Sequence, residues 1–165
     1  MFKALVKVIL VVVAFGVLAS CGHRIKPYTG PAVTSIEVHK ADRRMYLLHD
    51  AQVLKVYDLH LGGNPVGHKH FEGDGKTPEG VYYITHRNAR SAYHLSMGIS
   101  YPNEADKTYA EAQNMLPGGD IFIHGQNNRG SSTGDWTVGC IAVTNGEIEE
   151  IYAMVNPGTP ISIYP

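Results

Sequence analysis

From residue 33 onward the apolar residues of this chain come in short runs, and Gly, Pro, Asn or Asp punctuates the gaps between them. Ser35-Ile36-Glu37-Val38-His39 alternates with period two, the pattern of a strand that buries one face. Residues 45–48 and 53–61 flank His49-Asp50-Ala51-Gln52 as the arms of a hairpin. Val81-Tyr82-Tyr83-Ile84-Thr85 is rich in β-formers and follows the breaker run Thr77-Pro78-Glu79-Gly80. Residues 94–100, 120–124, 140–144 and 161–164 read as further short strands. One helix is well specified. Thr144 and Glu147 fit a capping box, Asn145 is an alternative cap, and Ile148, Ile151, Tyr152 and Val155 form one apolar stripe. Asn156-Pro157-Gly158 ends it, and a second helix is expected over residues 105–115. The pattern predicts a mainly β domain, with α as a minor component of one or two packed helices.

A chain of 165 residues has room for one domain with a real core. Its 44% apolar and 18% charged residues argue against disorder. A net charge of −1 gives no electrostatic case for nucleic acid as a partner. Lys3 and Lys7 stand at the start of an apolar run, 8–19, that is too short to span a bilayer comfortably and reads as the core of a secretory signal. The run ends in Leu18-Ala19-Ser20-Cys21-Gly22, small residues before a Cys, which resembles a bacterial lipobox. The resemblance implies a signal peptide over 1–20, a lipid on Cys21, and a tether over 21–32. The domain then runs 33–165, on the periplasmic face of the cell envelope and anchored to a membrane by the lipid. Gly22 in place of Asp favours the outer membrane. An ordinary signal peptide that merely contains Cys21 is the alternative.

With Cys21 at the processing site, Cys140 is left without a partner, since the chain has two cysteines. An odd Cys in an exported domain is either a reactive thiol or a small buried hydrophobe. Two segments bear on that choice. Ile121-Phe122-Ile123-His124-Gly125 is an apolar strand ending in His-Gly, and Thr137-Val138-Gly139-Cys140-Ile141 is a Gly-Cys step opening another strand. A thiol needs a base to attack a carbonyl, and a His at a neighbouring strand end supplies one. Gly139 permits a tight turn, and its N–H with that of Cys140 is a candidate donor pair for an oxyanion. Residues 126–136 read as a polar loop over the site. Taken alone the pair is a weak signal, because nine histidines make some His near any Cys common.

The pair His124-Gly125, followed by Thr137-Val138-Gly139-Cys140, resembles the signature of the L,D-transpeptidase catalytic domain, the YkuD family. Gly62-Gly63-Asn64-Pro65-Val66-Gly67-His68-Lys69 and Glu72-Gly73-Asp74-Gly75-Lys76-Thr77-Pro78-Glu79-Gly80 are similar to the family's segment after its early strands. The stretch from His94 through Tyr101-Pro102-Asn103 is similar to its middle strand, and Gly158-Thr159-Pro160-Ile161-Ser162-Ile163 to its closing strand. The likeness spans about residues 33–164. It implies a β-sandwich-like fold with the site at strand ends, Cys140 as nucleophile, His124 as general acid and base, and no cofactor or metal. The substrates it implies are peptidoglycan stem peptides, attacked at the L-centre of the third residue, with a thioester passed to an amine. His94 and Thr137 are then candidate substrate-binding residues, with a packing role equally open for His94, alongside Gly139 as the oxyanion donor. No carboxylate suggests itself as a third member orienting His124, and a backbone carbonyl is expected to do so.

Two positions depart from the common family pattern. Val138 stands where many members have His, and Ala142 where many have Arg. They bear on what accepts the acyl group, an amine or water. The sequence is closer to a subgroup resembling enzymes that hydrolyse bonds at diaminopimelate, so an endopeptidase, carboxypeptidase or amidase is the alternative. A non-catalytic peptidoglycan-binding lipoprotein is a further one. Papain-like peptidases place Cys before His, the reverse of the order here. His68 and His70 form a His-x-His pair that lacks the spacing to complete a metal site, and a loop lining the cleft is preferred. Tyr93 and Tyr101 are candidate groove borders.

Overall fold

The computed structural model describes residues 25–126 and 134–165. The expected signal and Cys21 lie outside the described residues, as does most of the loop after Gln126. Eight strands and two helices follow in the order β1 (Ser35–His39), β2 (Arg44–His49), β3 (Gln52–Asp58), β4 (Gly80–Ser91), β5 (His94–Ile99), α1 (Glu104–Ala112), β6 (Phe122–His124), β7 (Ile141–Ala142), α2 (Asn145–Met154) and β8 (Pro160–Tyr164). The mainly β class with two helices is what the run lengths predict.

The strands form one sheet of order β3-β2-β1-β8-β4-β5-β6-β7. β4 is its shared member. Residues Gly80 to Tyr83 pair with β8, whereas Ile84, Arg87, Asn88 and Ser91 pair with β5 across two irregularities of register. That division makes β4 far longer than the five-residue strand its apolar pattern predicts. Its second half is exposed and polar, so the alternation there is silent. The expected 53–61 strand also ends differently, at Asp58. Beyond it the chain leaves β2, and His60 exchanges two backbone hydrogen bonds of 2.8 Å with Ala142 of β7. The last strand in the sheet order is thereby stitched to the segment after the first. The curled sheet encloses one core, to which Ile36 and Met45 contribute from one half and Met97 and Ile141 from the other. Each such side chain, buried fully, contributes about 1.5–3 kcal/mol.

Helix α2 starts as its sequence predicts. Thr144 Oγ1 accepts the Glu147 N–H and the Glu147 carboxylate accepts the Thr144 N–H. Ile148, Ile151 and Val155 are fully buried, and the helix packs on β5 and β6. Asn145 is a helical residue, not the cap, and its side chain accepts the Gln126 N–H at 2.8 Å. Helix α1 begins after Asn103, which with Asp106 forms a second capping box, and stops three residues short of the expected end. Ile25 and Tyr28, within the expected tether, pack against the core.

Candidate functional site

His124 closes β6. The parallel ladder sets Ile123 opposite Ile141 and His124 opposite Ala142. Alternation sends the two isoleucines into the core and the other pair to the opposite face. Cys140, two positions before Ala142, falls on the His124 face by the same alternation. A ladder of five residues in all therefore sets the imidazole and the thiol on one face of adjacent strands.

Gly125 is required by what surrounds it. A Cβ there would lie 2.6 Å from Asn145 Oδ1 and 2.9 Å from the Tyr93 carbonyl. Its N–H is shared between the carbonyls of Tyr93 and Leu95, and its own carbonyl lies 2.6 Å from His124 Nδ1. A carbonyl only accepts, so Nδ1 carries the ring hydrogen and the neutral imidazole presents its lone pair at Nε2. The expected backbone carbonyl beside His124 is thus that of the next residue. The ring is 4% exposed, with Tyr93 at 4.5 Å between centroids and Trp136 at 5.6 Å.

Cys140 is a free, half-buried thiol whose Sγ donates to the Asp120 carbonyl at 3.5 Å. The turn before it is held by Thr137. The Thr137 hydroxyl accepts the Gly139 N–H at 3.2 Å and donates to the Cys140 carbonyl at 2.7 Å. Gly139 has φ of 129°, and a Cβ on it would approach the Lys76 carbonyl to 2.5 Å. On its other side, a Cβ on Gly62 would strike the Gly75 carbonyl and lie 3.0 Å from Gly139 N. The segment 62–80 thus backs the cysteine turn directly. Asp74 organises it by accepting from the N–H groups of His70, Phe71 and Lys76 and from Lys69 Nζ. Burial pushes the Asp74 carboxyl up, but those donors outweigh it and hold it below the usual carboxylate range. Nearby, buried Lys40 donates to the carbonyls of Gly67 and Thr77 and to Glu79.

Charge at the site is suppressed. Burial pushes the Cys140 thiol up, and a hydrogen bond from the Phe122 backbone and the Lys69 charge offset that only in part. Burial pushes His124 down, against the Gly125 carbonyl. The resting pair is a neutral thiol beside a neutral imidazole.

Several expected site residues serve other ends. Thr137 is 7% exposed and its hydroxyl is turned into its own loop, where it shapes the turn. The Gly139 N–H is taken by Thr137, so in this arrangement it is not a free oxyanion donor. His94 ends the β4–β5 turn with φ of 70°, and its Nε2 meets Glu149 of α2 at 2.8 Å. Tyr101 is buried and donates to the Pro117 carbonyl, whereas Tyr93 packs against the His124 ring. His68 accepts the Glu79 N–H at Nδ1 and meets Asp106 at Nε2, and His70 stacks on Tyr109. Among the described residues no group of three or more His, Cys, Asp or Glu is arranged to hold a metal.

Sequence reasoning left Asp135 unassigned. It clamps Arg43 of the β1–β2 turn and accepts the Leu61 N–H at 2.8 Å. Burial pushes its carboxyl up, but Arg43 and the Leu61 amide prevail and hold it low. Trp136 was also missed as a neighbour of His124. Its proximity to the Cys motif in sequence was the available signal.

The family model described as the L,D-transpeptidase catalytic domain, YkuD, matches residues 34–163. The putative L,D-transpeptidase YafK of Escherichia coli strain K12 is 28% identical over 143 residues, covering 79% of this chain and 53% of its own length. The crystal structure of the helical cell shape determining protein Pgp2 from Campylobacter jejuni is 26% identical with a TM-score of 0.63, covering 82% of this chain and 49% of that one. The catalytic domain from an E. faecium L,D-transpeptidase, solved by NMR, has a TM-score of 0.55 at 19% identity, covering 79% of this chain and 96% of its own, a likeness of fold. The chain spans about half the length of the curated relatives it matches.

Proposed function

The chain belongs to the L,D-transpeptidase catalytic domain family, and from that premise we propose that it is a cell-envelope acyl-transfer enzyme acting on peptidoglycan stem peptides, with Cys140 as nucleophile and His124 as general base. The observation that carries this reading is the hydrogen bond from His124 Nδ1 to the Gly125 carbonyl. It leaves Nε2 as the acceptor on the face that Cys140 shares.

Because both groups rest neutral, the thiolate forms as it attacks. The thiol swings from the Asp120 carbonyl to Nε2, which takes its proton while Sγ bonds to the carbonyl carbon at the L-centre of the third stem residue. Backbone N–H groups of the Gly139–Cys140 turn hold the oxyanion once Gly139 is released from Thr137. The C–N bond then breaks, the His124 proton goes to the departing amine, and a thioester remains. An amine of a second stem attacks that thioester, His124 takes its proton, and the C–S bond breaks to regenerate the thiol. Water in place of the amine gives hydrolysis through the same intermediate.

Incubation with purified muropeptides and mass analysis tests the reading. Dimers bridged between third residues support transpeptidation. Shortened or released monomers mean hydrolysis. Unchanged muropeptides with retained sacculus binding would leave a binding module. Cys140→Ala and His124→Ala each abolish turnover, and an active Cys140→Ala ends the mechanism. The envelope location rests on the lipobox-like Ser20-Cys21-Gly22. Incorporation of a lipid precursor, lost in Cys21→Ala, checks the anchor, and sucrose-gradient fractionation checks the outer membrane.

A further inference from the structure

One hydrogen bond does not fix a ring. The bond from Nδ1 to Gly125 leaves the imidazole of His124 free to rock about that contact, and rocking moves Nε2 relative to Cys140. Two aromatic rings from separate elements close off this motion. Tyr93 lies nearly over the imidazole, at 4.5 Å and 33°. Trp136 meets it edge-on, at 5.6 Å and 66°, and lies 6.0 Å from Tyr93. We infer that Tyr93 and Trp136 are positioning residues that hold the His124 imidazole with Nε2 toward Cys140, in place of a carboxylate third member; the inference rests on the base role proposed above.

Each ring is tied to a different partner of the reaction. Tyr93 caps the β4–β5 turn, and its carbonyl accepts the N–H of Gly125, whose own carbonyl holds Nδ1. The ring and the hydrogen bond are therefore set by one local arrangement. Trp136 sits between Asp135, which is latched to Arg43 and Leu61, and Thr137, which holds the cysteine turn. It couples the base to the segment that carries the nucleophile. Among the described residues the buried Trp136 Nε1 finds no hydrogen-bond partner. The contact with His124 is made by the aromatic ring itself, which phenylalanine also offers.

The test compares wild type with Tyr93→Phe, Trp136→Phe, Tyr93→Leu and Trp136→Leu in the full chain. Two quantities are read: turnover of muropeptides, and the imidazole nitrogen signals of His124 by NMR with heavy-nitrogen histidine. The Phe variants keep kcat within about threefold and keep the signature of a ring protonated at Nδ1. The Leu variants lower kcat about 10- to 100-fold with KM within about twofold, the cost of a misplaced group, and their signature shows mixed tautomers. Folded Leu variants with wild-type kcat and signature would overturn the inference, as would folded Phe variants that lose the signature. Altered signals in the Leu variants of a protein that turns over no muropeptide would uphold it while sinking the proposed activity.

Discussion

The hydroxyl of Thr137 donates to the carbonyl of Cys140 at 2.7 Å while accepting the N–H of Gly139 at 3.2 Å. One small side chain thereby sets both the direction of the cysteine and the state of a candidate oxyanion donor. Thr137→Val keeps the volume and loses both bonds, leaving a buried Gly139 N–H without a partner. The expected cost is about 1–3 kcal/mol in urea unfolding, with a 10- to 100-fold loss of kcat, of the order set by small displacements of reacting groups. Thr137→Ser restores both. A Val variant with full activity and stability would show that the turn holds without its hydroxyl.

The neutral resting pair has a pH signature. Burial lowers His124, so the acid limb of kcat/KM should fall below the ordinary histidine value of about 6.5. Burial raises Cys140, so its alkylation by iodoacetamide at pH 7 should be slower than that of free cysteine and climb past pH 9. Rapid alkylation at pH 6 would instead indicate a preformed thiolate.

Asp135 joins segments that are distant in sequence, and Asp135→Asn weakens that latch. Hydrogen bonds to charged groups contribute about 1.5–3 kcal/mol, and a loss in that range is expected at pH 7. The Asp135 carboxyl is held low in the fold, so its stabilisation is present above its unfolded value of about 3.9 and is lost as pH falls through the folded value. The gap between wild type and variant should narrow there. Equal urea midpoints at pH 7 would contradict the assignment.

Gly125→Ala inserts a Cβ between the Asn145 side chain and the Tyr93 carbonyl. The amide can rotate away, but the carbonyl is backbone and already accepts the Gly125 N–H. Overpacking costs of about 1–3 kcal/mol are expected, with displacement of the His124 ring visible in its NMR signals. Unchanged signals would mean that the turn gives way elsewhere.

Much of this was legible in the chain itself. The capping box at Thr144, the hairpin at residues 49–52 and the His124 and Cys140 segments carry local patterns of period and turn chemistry. What escaped was non-local. The second half of β4 is held by its neighbour and shows no apolar alternation. The His60–Ala142 bridge joins backbone groups, which no side chain announces. Asp135 finds Arg43 across 92 positions, and Trp136 finds the His124 ring only after β6 and β7 align. Thr137 and His94 show the converse. Polar residues beside a catalytic motif satisfy the backbone and neighbouring elements as readily as they meet a ligand.

Strand β8 comes last among the described elements yet lies in the interior of the sheet, parallel to β1 and antiparallel to β4. Until residues 160–164 pair, β1 and β4 each present an open edge of unpaired backbone groups, and the halves meet through the bridges at His60 and Gly62. Folding that waits on such distant pairing is slow and close to all-or-none. Cys140 and His124 both belong to the half beyond β4, and their alignment is secured by His60 from the other. The strand that closes the gap between the two halves is thus also a brace for the site.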